Sequence, residues 1–439
     1  MQTFLRDLET RRLHKGSFVS IFSLMRDGLD LAAQLHGLRE GILPSEKVIQ
    51  PYLQFIHGDE RCGLTGLRLA DIWRYFRHTW SSPYQSIPGR SMMILVRDKA
   101  ARLHPVIGIA AVSSAAVAIS SRDQAIGWTL EAFADALRTR RPKTALKWID
   151  RQIDMRIKRI YKVDLLRDEI LSAGELKRPT PETLARLRKE ATDERRKHYR
   201  LMKGHDYKSS RSASSMANWR EQTKKPLFRS KRAEELAGLL GVRLALVRKE
   251  QKKEGSDLGS ILGSKHGIQA MTTLLRRIKA EKVGSAIAEL TVCGAVPPYG
   301  EILGGKLVAM LIASPEVRLE YRRRYGKSES VIASSIAGRP IVKSAELVFI
   351  GTTSLFGKRP SQYDRIAVPC SDGTQMVHYE YLGRTTGVGT FQFSERTVRE
   401  LEVLLAQKGD GVRVNSVFGE GVNPRLRKIR EALDLLGLP

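Results

Sequence analysis

The sequence predicts an α/β protein: a mixed-sheet domain, split by a long basic helical insertion and preceded by a helical N-terminal region. Three observations carry that prediction. Two apolar runs, Ser91–Asp98 and Val106–Ile119, flank the short basic turn KAARLHP and read as an antiparallel hairpin. A second unit, Ala288–Ile312, passes from strand through a Pro/Gly turn into a helix. Between the two, from Arg138 to Lys282, helical periodicity coincides with 39 Lys and Arg against 18 Asp and Glu.

Residues 1–90 read mostly as helix and loop. Ile21, Leu24, Leu29, Leu31 and Leu35 give Phe18–Leu38 an amphipathic pattern that ends near Gly37. In Thr65–Trp80, Leu69, Ile72, Trp73 and Phe76 share one helical face and are read as core, with Arg68, Arg74, Arg77 and His78 on other faces. Ser81–Arg90 is a turn-rich connector. After the hairpin, Ser120–Trp128 leads into a helix near Thr129–Leu137. Residues 91–128 thus form the first part of the sheet domain.

The insertion, residues 129–284, opens with a long helix. Ile149, Ile153, Ile157 and Ile160 form its apolar stripe, and Lys147, Arg151, Lys158 and Lys162 lie away from it. Thr180 as N-cap and Pro181 in the first turn start a second helix, which carries Arg195, Arg196 and Lys197. Gly204–Arg232 is Ser-rich and cationic without a sustained period, and is expected to be a mobile loop. Its Arg211, Lys224, Lys225, Arg229 and Arg232 are interleaved with Tyr207, Trp219 and Phe228. That composition suits base stacking beside phosphate contacts, or rings that tack the loop to the core. Arg232–Lys253 has helix-turn-helix spacing. Leu244 and Leu246, however, stand where a recognition helix shows polar groups, which favours one plain amphipathic helix.

Residues 285–439 complete the sheet domain. Glu289–Val296 is a strand, and Lys306 begins a helix that continues into a basic second segment. Ser330–Ile336, Ala345–Leu355, Asp364–Cys370 and Met376–Gly383 are strand candidates, with closing helices at Phe393–Leu405 and Pro424–Leu436.

Composition narrows the function classes. The chain of 439 residues has 42% hydrophobic residues, which excludes wholesale disorder. Cys62, Cys293 and Cys370 are too few and too scattered for a disulfide framework or a zinc site, as expected of a reducing cytoplasm. No run reaches the roughly 20 apolar residues of a membrane span, and no leader is expected at the N-terminus. The formal charge is +28, and +21 of it lies between Arg138 and Lys282. A polyanion relieves such repulsion by counterion release, so nucleic acid is the expected partner; an acidic protein is the alternative.

Two constellations merit chemical attention. Gly300, Gly304, Gly305 and Lys306 fit either a phosphate cradle or a tight structural turn. Leu307 after the lysine rules out a Walker loop. Asp98, Asp123, Glu289, Glu346 and Asp364 lie near strand ends, where a two-metal nuclease would need carboxylates to converge, but no D-x-D or H-x-H spacing accompanies them. Asp123 beside Arg122 reads more simply as one half of an ion pair. No metal ligand set is expected, and no cofactor is specified.

The block containing Arg122, Asp123, Ile126, Gly127 and Trp128, and the block GTTSLFGKRPSQYDRIAVP, resemble the bacterial Druantia DruA family. The resemblance covers roughly Ser91–Trp128 and Ala288–Pro369. It implies a role in anti-phage defence and no established activity; DNA is the expected nucleic acid, with RNA the alternative, and other subunits of the same defence system are further expected partners. The order of elements is also similar to the GNAT-like acyltransferase fold. On that similarity Gly304, Gly305 and Lys306 belong to a pyrophosphate loop and Tyr363 is the candidate general acid; Asp123 is the other catalytic candidate, and Arg122, Trp128 and Arg365, expected around the cleft, are candidate nucleic-acid contacts. Glu301 departs from the GNAT pattern, because an anionic side chain opposes pyrophosphate there. The alternative to a binding component is therefore an enzyme: an acyltransferase or a metal-dependent nuclease.

Overall fold

A computed structural model describes residues 2–80, 89–116, 118–139, 142–203, 219–250, 262–354, 359–370, 373, 376–384, 393–408 and 424–437. Its centre is a five-stranded sheet of β1 (Pro51–Phe55), β2 (Ser91–Asp98), β3 (Val106–Ser114), β4 (Ile287–Ala295) and β5 (Phe349–Gly351), side by side in that order. The first four strands are antiparallel to their neighbours and β5 runs parallel to β4. The predicted hairpin is present, with Leu95 opposite Ile109. Strands β3 and β4 are adjacent, so the intervening chain leaves and re-enters the sheet between neighbours.

Both faces of the sheet are covered. On one, Leu95, Ile109 and Ala111 pack with Ile72, Trp73 and Phe76 of α3 (Leu69–His78), and with Leu8 of α1 (Gln2–Glu9). The Trp73 indole N–H donates to the Ala110 carbonyl at 2.9 Å, pinning α3 to β3. On the other, Ile94, Ile107 and Leu290 meet Val308 and Ile312 of α12 (Lys306–Ile312), Tyr321 of α13 (Pro315–Tyr325) and Leu31 of α2 (Gly28–Arg39). The result is a three-layer α/β/α arrangement.

The insertion builds a core of its own. Its central helix is α10 (Pro226–Glu250), which packs against α6 (Pro142–Lys158), α8 (Pro181–Lys203) and α11 (Lys265–Ala286). Ile149, Ile153, Ile157 and Ile160 are all buried, as the periodicity predicts. Helix α10 is continuous and Leu236, Leu239, Leu240 and Leu246 along it are buried, so Arg232–Glu250 is one helix and no recognition helix. A small C-terminal pair, α15 (Glu395–Lys408) and α16 (Pro424–Leu435), buries Val398, Leu401, Ile429 and Ala432.

The structure corrects several element boundaries. The N-terminal region is less helical than expected: it supplies the edge strand β1 and a ribbon pairing Arg12–His14 with Ser17–Val19. Helix α2 starts only at Gly28, because the Asp27 carboxylate caps Leu29 and Asp30 N–H at 2.8 and 3.0 Å. Strand β3 ends at Ser114, before the Ala-rich remainder of its run. Ser330–Ile336 is not a strand. It lies in α14 (Val331–Ala337), closed by Gly338 at φ 66°, where a left-handed turn stops the helix. The expected loop Gly204–Arg232 is helical from Trp219 as α9 (Trp219–Lys224) and the start of α10, while residues 204–218, with Tyr207 and Arg211, lie outside the described residues.

Candidate nucleic-acid interface and sheet cleft

The cations of the insertion divide into two populations. One group is interior. Arg232 is fully buried and donates to both oxygens of Asp164 on α7 (Val163–Arg167). Arg229 bridges Glu190 at 2.6 Å and Asp168 at 2.8 Å. Arg243, also buried, binds Asp150 and Asp154 at 2.9 and 2.6 Å. Burial opposes ionisation of Asp164, yet the Arg232 and Arg229 guanidinium groups hold its carboxyl below the usual range. These arginines cross-brace the helices. Their charge is already matched by carboxylates.

The second group is exterior. On α6, Lys147, Arg151 and Lys158 are exposed along one face, opposite Ile149, Ile153 and Ile157. On α8, Arg188, Lys189, Arg196 and Arg200 are exposed opposite Leu184, Leu187 and Ala191. Lys197 is exposed but pairs with Glu194 at 2.5 Å, and Arg196 lies 3.7 Å from Asp193. Lys224 pairs loosely with Glu221 at 3.4 Å, and Lys225 is exposed. Surface pairs of this kind hold little energy and are readily exchanged for a phosphate.

Three predicted contacts sit between these classes. Arg195 is half-buried and paired with Glu234 at 2.7 Å. Lys162 donates to the Ile157 and Ile160 carbonyls at 3.3 and 3.4 Å, closing the end of α6. The Trp219 indole N–H donates to Glu329 at 2.9 Å, tying α9 to the sheet domain.

In the sheet domain, the two distinctive sequence blocks meet across β4. Arg122 and Asp123, on α4 (Ser120–Ala125), are buried together and joined at 2.8 Å, and Lys279 of α11 binds the other Asp123 oxygen at 2.5 Å. Gly127 at φ 73° turns the chain so that the Trp128 N–H reaches the Asp123 carbonyl at 2.6 Å. Asp123 therefore fastens the insertion to the sheet. Close by, Glu289 of β4 accepts from Thr353 at 3.0 Å. Burial raises its pKa, against the opposing pull of Thr353 and Arg122.

Tyr363 lies against the other side of the strand–turn–helix unit. Its ring is 5.0 Å from that of Tyr379, its hydroxyl is 3.5 Å from Thr352, and the Cys293 thiol is a second hydrogen-bond partner. Burial pushes the Tyr363 hydroxyl up to about 12, and the Cys293 thiol also to about 12. Both stay protonated at neutral pH, so Tyr363 can donate a proton but cannot accept one. The glycine turn beneath it is filled by protein: a Cβ on Gly305 would collide with the Gln362 amide, and Lys306 donates to the Asp364 carbonyl at 2.5 Å. Gly304 takes a left-handed φ of 56°. Arg365, at φ 58°, is exposed beyond this turn.

The strand-end carboxylates are held separately. Asp98 is buried, accepting from Tyr299 at 2.7 Å, Glu346 pairs with Arg322, and Asp364 pairs with Arg359. Among the described residues, no three His, Cys, Asp or Glu side chains gather as a metal site, and no helix is long and apolar enough to cross a membrane. Sequence reasoning named Cys293 only among the scattered cysteines, set aside Thr352 and Thr353 for want of a nucleophile motif, and did not single out Tyr379. Each becomes visible only when distant strands and turns are brought to β4.

Comparisons with known proteins show which family the chain resembles. A family profile described as Druantia protein DruA matches residues 42–140 and 272–439, more than half of the chain, and passes over most of the insertion. A curated Druantia protein DruA from Escherichia coli (strain UMEA 4076-1) is 36% identical over 146 residues, 33% of this chain and 33% of the relative. That alignment spans a third of the relative's own length. No solved structure matches.

Proposed function

Because the chain belongs to the DruA family of the Druantia system, we propose that it is the nucleic-acid-binding component of an anti-phage defence system. The insertion lies along a polyphosphate, DNA in the first instance, and the sheet domain holds the insertion in place. The observation that carries this reading is the separation of charge in the insertion. Among the described residues, interior arginines are neutralised by Asp164, Asp150 and Asp154, and exposed cations line the outer faces of α6 and α8. Counterion release from a bound strand then supplies the driving force.

The sheet enters this reading as a GNAT-like scaffold without its cofactor chemistry. Gln362 over Gly305 and Asp364 on Lys306 favour a structural turn over a pyrophosphate cradle. Tyr363 and Asp123 act as packing and anchoring groups. Partner subunits of the same system are expected to meet the molecule elsewhere.

Filter binding of a labelled duplex across a salt series tests the proposal. The logarithm of the binding constant should fall with log salt by about 0.9 for each phosphate contacted. Arg188→Gln/Arg196→Gln/Arg200→Gln should lower that slope by about 2–3 while leaving the fold intact. A binding constant almost independent of salt would end the proposal.

A further inference from the structure

Where the insertion meets the sheet domain, Arg156, Arg159 and Lys343 gather around the Glu281 carboxylate, with Arg90 close to Lys343. Arg156 and Arg159, at the end of α6, bind the two oxygens of Glu281 on α11 at 2.9 and 2.5 Å. Arg90, just ahead of β2, comes from the sheet side and donates to the Ser285 carbonyl at 3.2 Å, the Gly284 carbonyl and the Tyr321 hydroxyl. All three acceptors are neutral, so the charge of Arg90 is oriented but not cancelled. Lys343, in the segment between α14 and β5, places its amine 3.7 Å from the position a Cβ on Gly284 would take. It is half-buried, and among the described residues its amine has no hydrogen-bond or ion-pair partner.

A half-buried ammonium without an acceptor is costly, and it is more so beside two guanidinium groups. Burial lowers the Lys343 pKa; Glu281 resists this, while Arg90 and Arg159 push further down. Glu281 does not balance these cations, and Glu235, the other carboxylate acting on Arg156, is itself paired with Arg277, so the seam keeps a surplus of positive charge. An oxyanion placed beside Lys343 would supply the missing acceptor and relieve the repulsion together.

We propose that Lys343, Arg90 and Arg159 form a binding site for a phosphate group at the seam between the insertion and the sheet domain. The site goes beyond the preceding reading, since its phosphate can belong to a bound strand or to a free phosphate compound. It also differs from the surface stripes in drawing on both parts of the chain. Arg90, Glu281 and Lys343 lie in the family-matched stretches, and Arg159 in the insertion that the profile passes over.

The test uses the full chain with two probes, inorganic phosphate and a duplex oligonucleotide. Inorganic phosphate should raise the melting temperature by several degrees relative to chloride at equal ionic strength. Lys343→Gln removes no hydrogen bond or ion pair among the described residues and should abolish that shift, and Lys343→Arg should restore it. Arg159→Gln serves as the second variant. If the phosphate belongs to a strand, Lys343→Gln also lowers the salt slope of duplex binding by about 1. Loss of the phosphate shift alone assigns the site to a free phosphate compound, and loss in the slope assigns it to nucleic acid. No phosphate-specific shift and no change in slope would overturn the site. That failure is distinct from failure of the nucleic-acid reading, which the α8 variants report independently.

Discussion

Arg232 donates to both carboxylate oxygens of Asp164, at 2.7 and 2.6 Å, from a position with 0% exposure. Two more of its hydrogen bonds go to the backbone carbonyls of Tyr161 and Thr223, at 2.6 and 2.9 Å. One guanidinium thus joins α10, α7, the end of α9 and the loop after α6. The cost of burying it is offset only while every one of these partners is present.

Removing its counter-charge should therefore be severe. Asp164→Ala leaves Arg232 charged and uncompensated, and should cost about 3–5 kcal/mol of stability, measured by urea denaturation. Where the variant remains folded, its salt slope for duplex binding should equal that of the parent, because Arg232 does not reach solvent. A steeper slope in a folded Asp164→Ala protein would show that the freed Arg232 reaches phosphate after all.

Glu289 predicts the opposite sign. Its pKa is raised by burial, so the folded protein holds this proton to a higher pH than the unfolded chain does. Stability is then lost as pH rises through the unfolded carboxyl range toward the folded value. Glu289→Gln keeps an oxygen for Thr353 to donate to and removes the titration. It should be more stable than the parent at about pH 8 and no more stable at about pH 4. Equal urea midpoints at both pH values would show that Glu289 is well solvated.

How far these sites were legible from sequence depends on the range of the interaction. The isoleucine stripe of α6, the Thr180 cap and the core face of α3 follow from residues three to four apart, and they were readable. The edge strand β1 was not, because PYLQF has too little alternation to announce a strand whose partner lies across a connector. Ser330–Ile336 misled because Val331, Ile332 and Ile336 favour strands locally. Gly338, the Ser334 hydroxyl accepting from Ile341 N–H at 2.9 Å, and burial of both serines decide for helix. The basic segment was legible as charge but not as two populations. Whether an arginine meets an aspartate sixty-odd residues away is a fact of the bundle, as Arg232 shows.

Glu175 places an acid limit on the insertion. Burial works against its ionisation. Thr183, the Ser172 backbone N–H and Arg186 outweigh burial and hold the carboxyl down to about 2. A depressed carboxyl contributes stability above its unfolded pKa and loses it as pH falls through the folded value. The insertion should therefore lose stability between about pH 4.5 and about pH 2. Glu175→Gln should cost about 1.5–3 kcal/mol at neutral pH and flatten this part of the acid profile, followed by helical circular dichroism. An unchanged acid profile in the variant would remove Glu175 as its source.

Two glycines separate a rigid neighbour from a yielding one. A Cβ on Gly108 of β3 would lie 2.5 Å from both the Gly294 carbonyl oxygen and the Val308 methyl, so β4 and α12 would have to move. Gly108→Ala should cost about 2–3 kcal/mol and lower the melting temperature accordingly. At Gly305 the obstacle is only the tip of the Gln362 side chain, which can swing aside. Gly305→Ala should therefore cost under about 1 kcal/mol, although its nominal clash is the closer of the two. Equal losses would mean that Gln362 is held as firmly as backbone. The turn would then be part of the packed core, with Gln362, Lys306 and Asp364 acting as one unit.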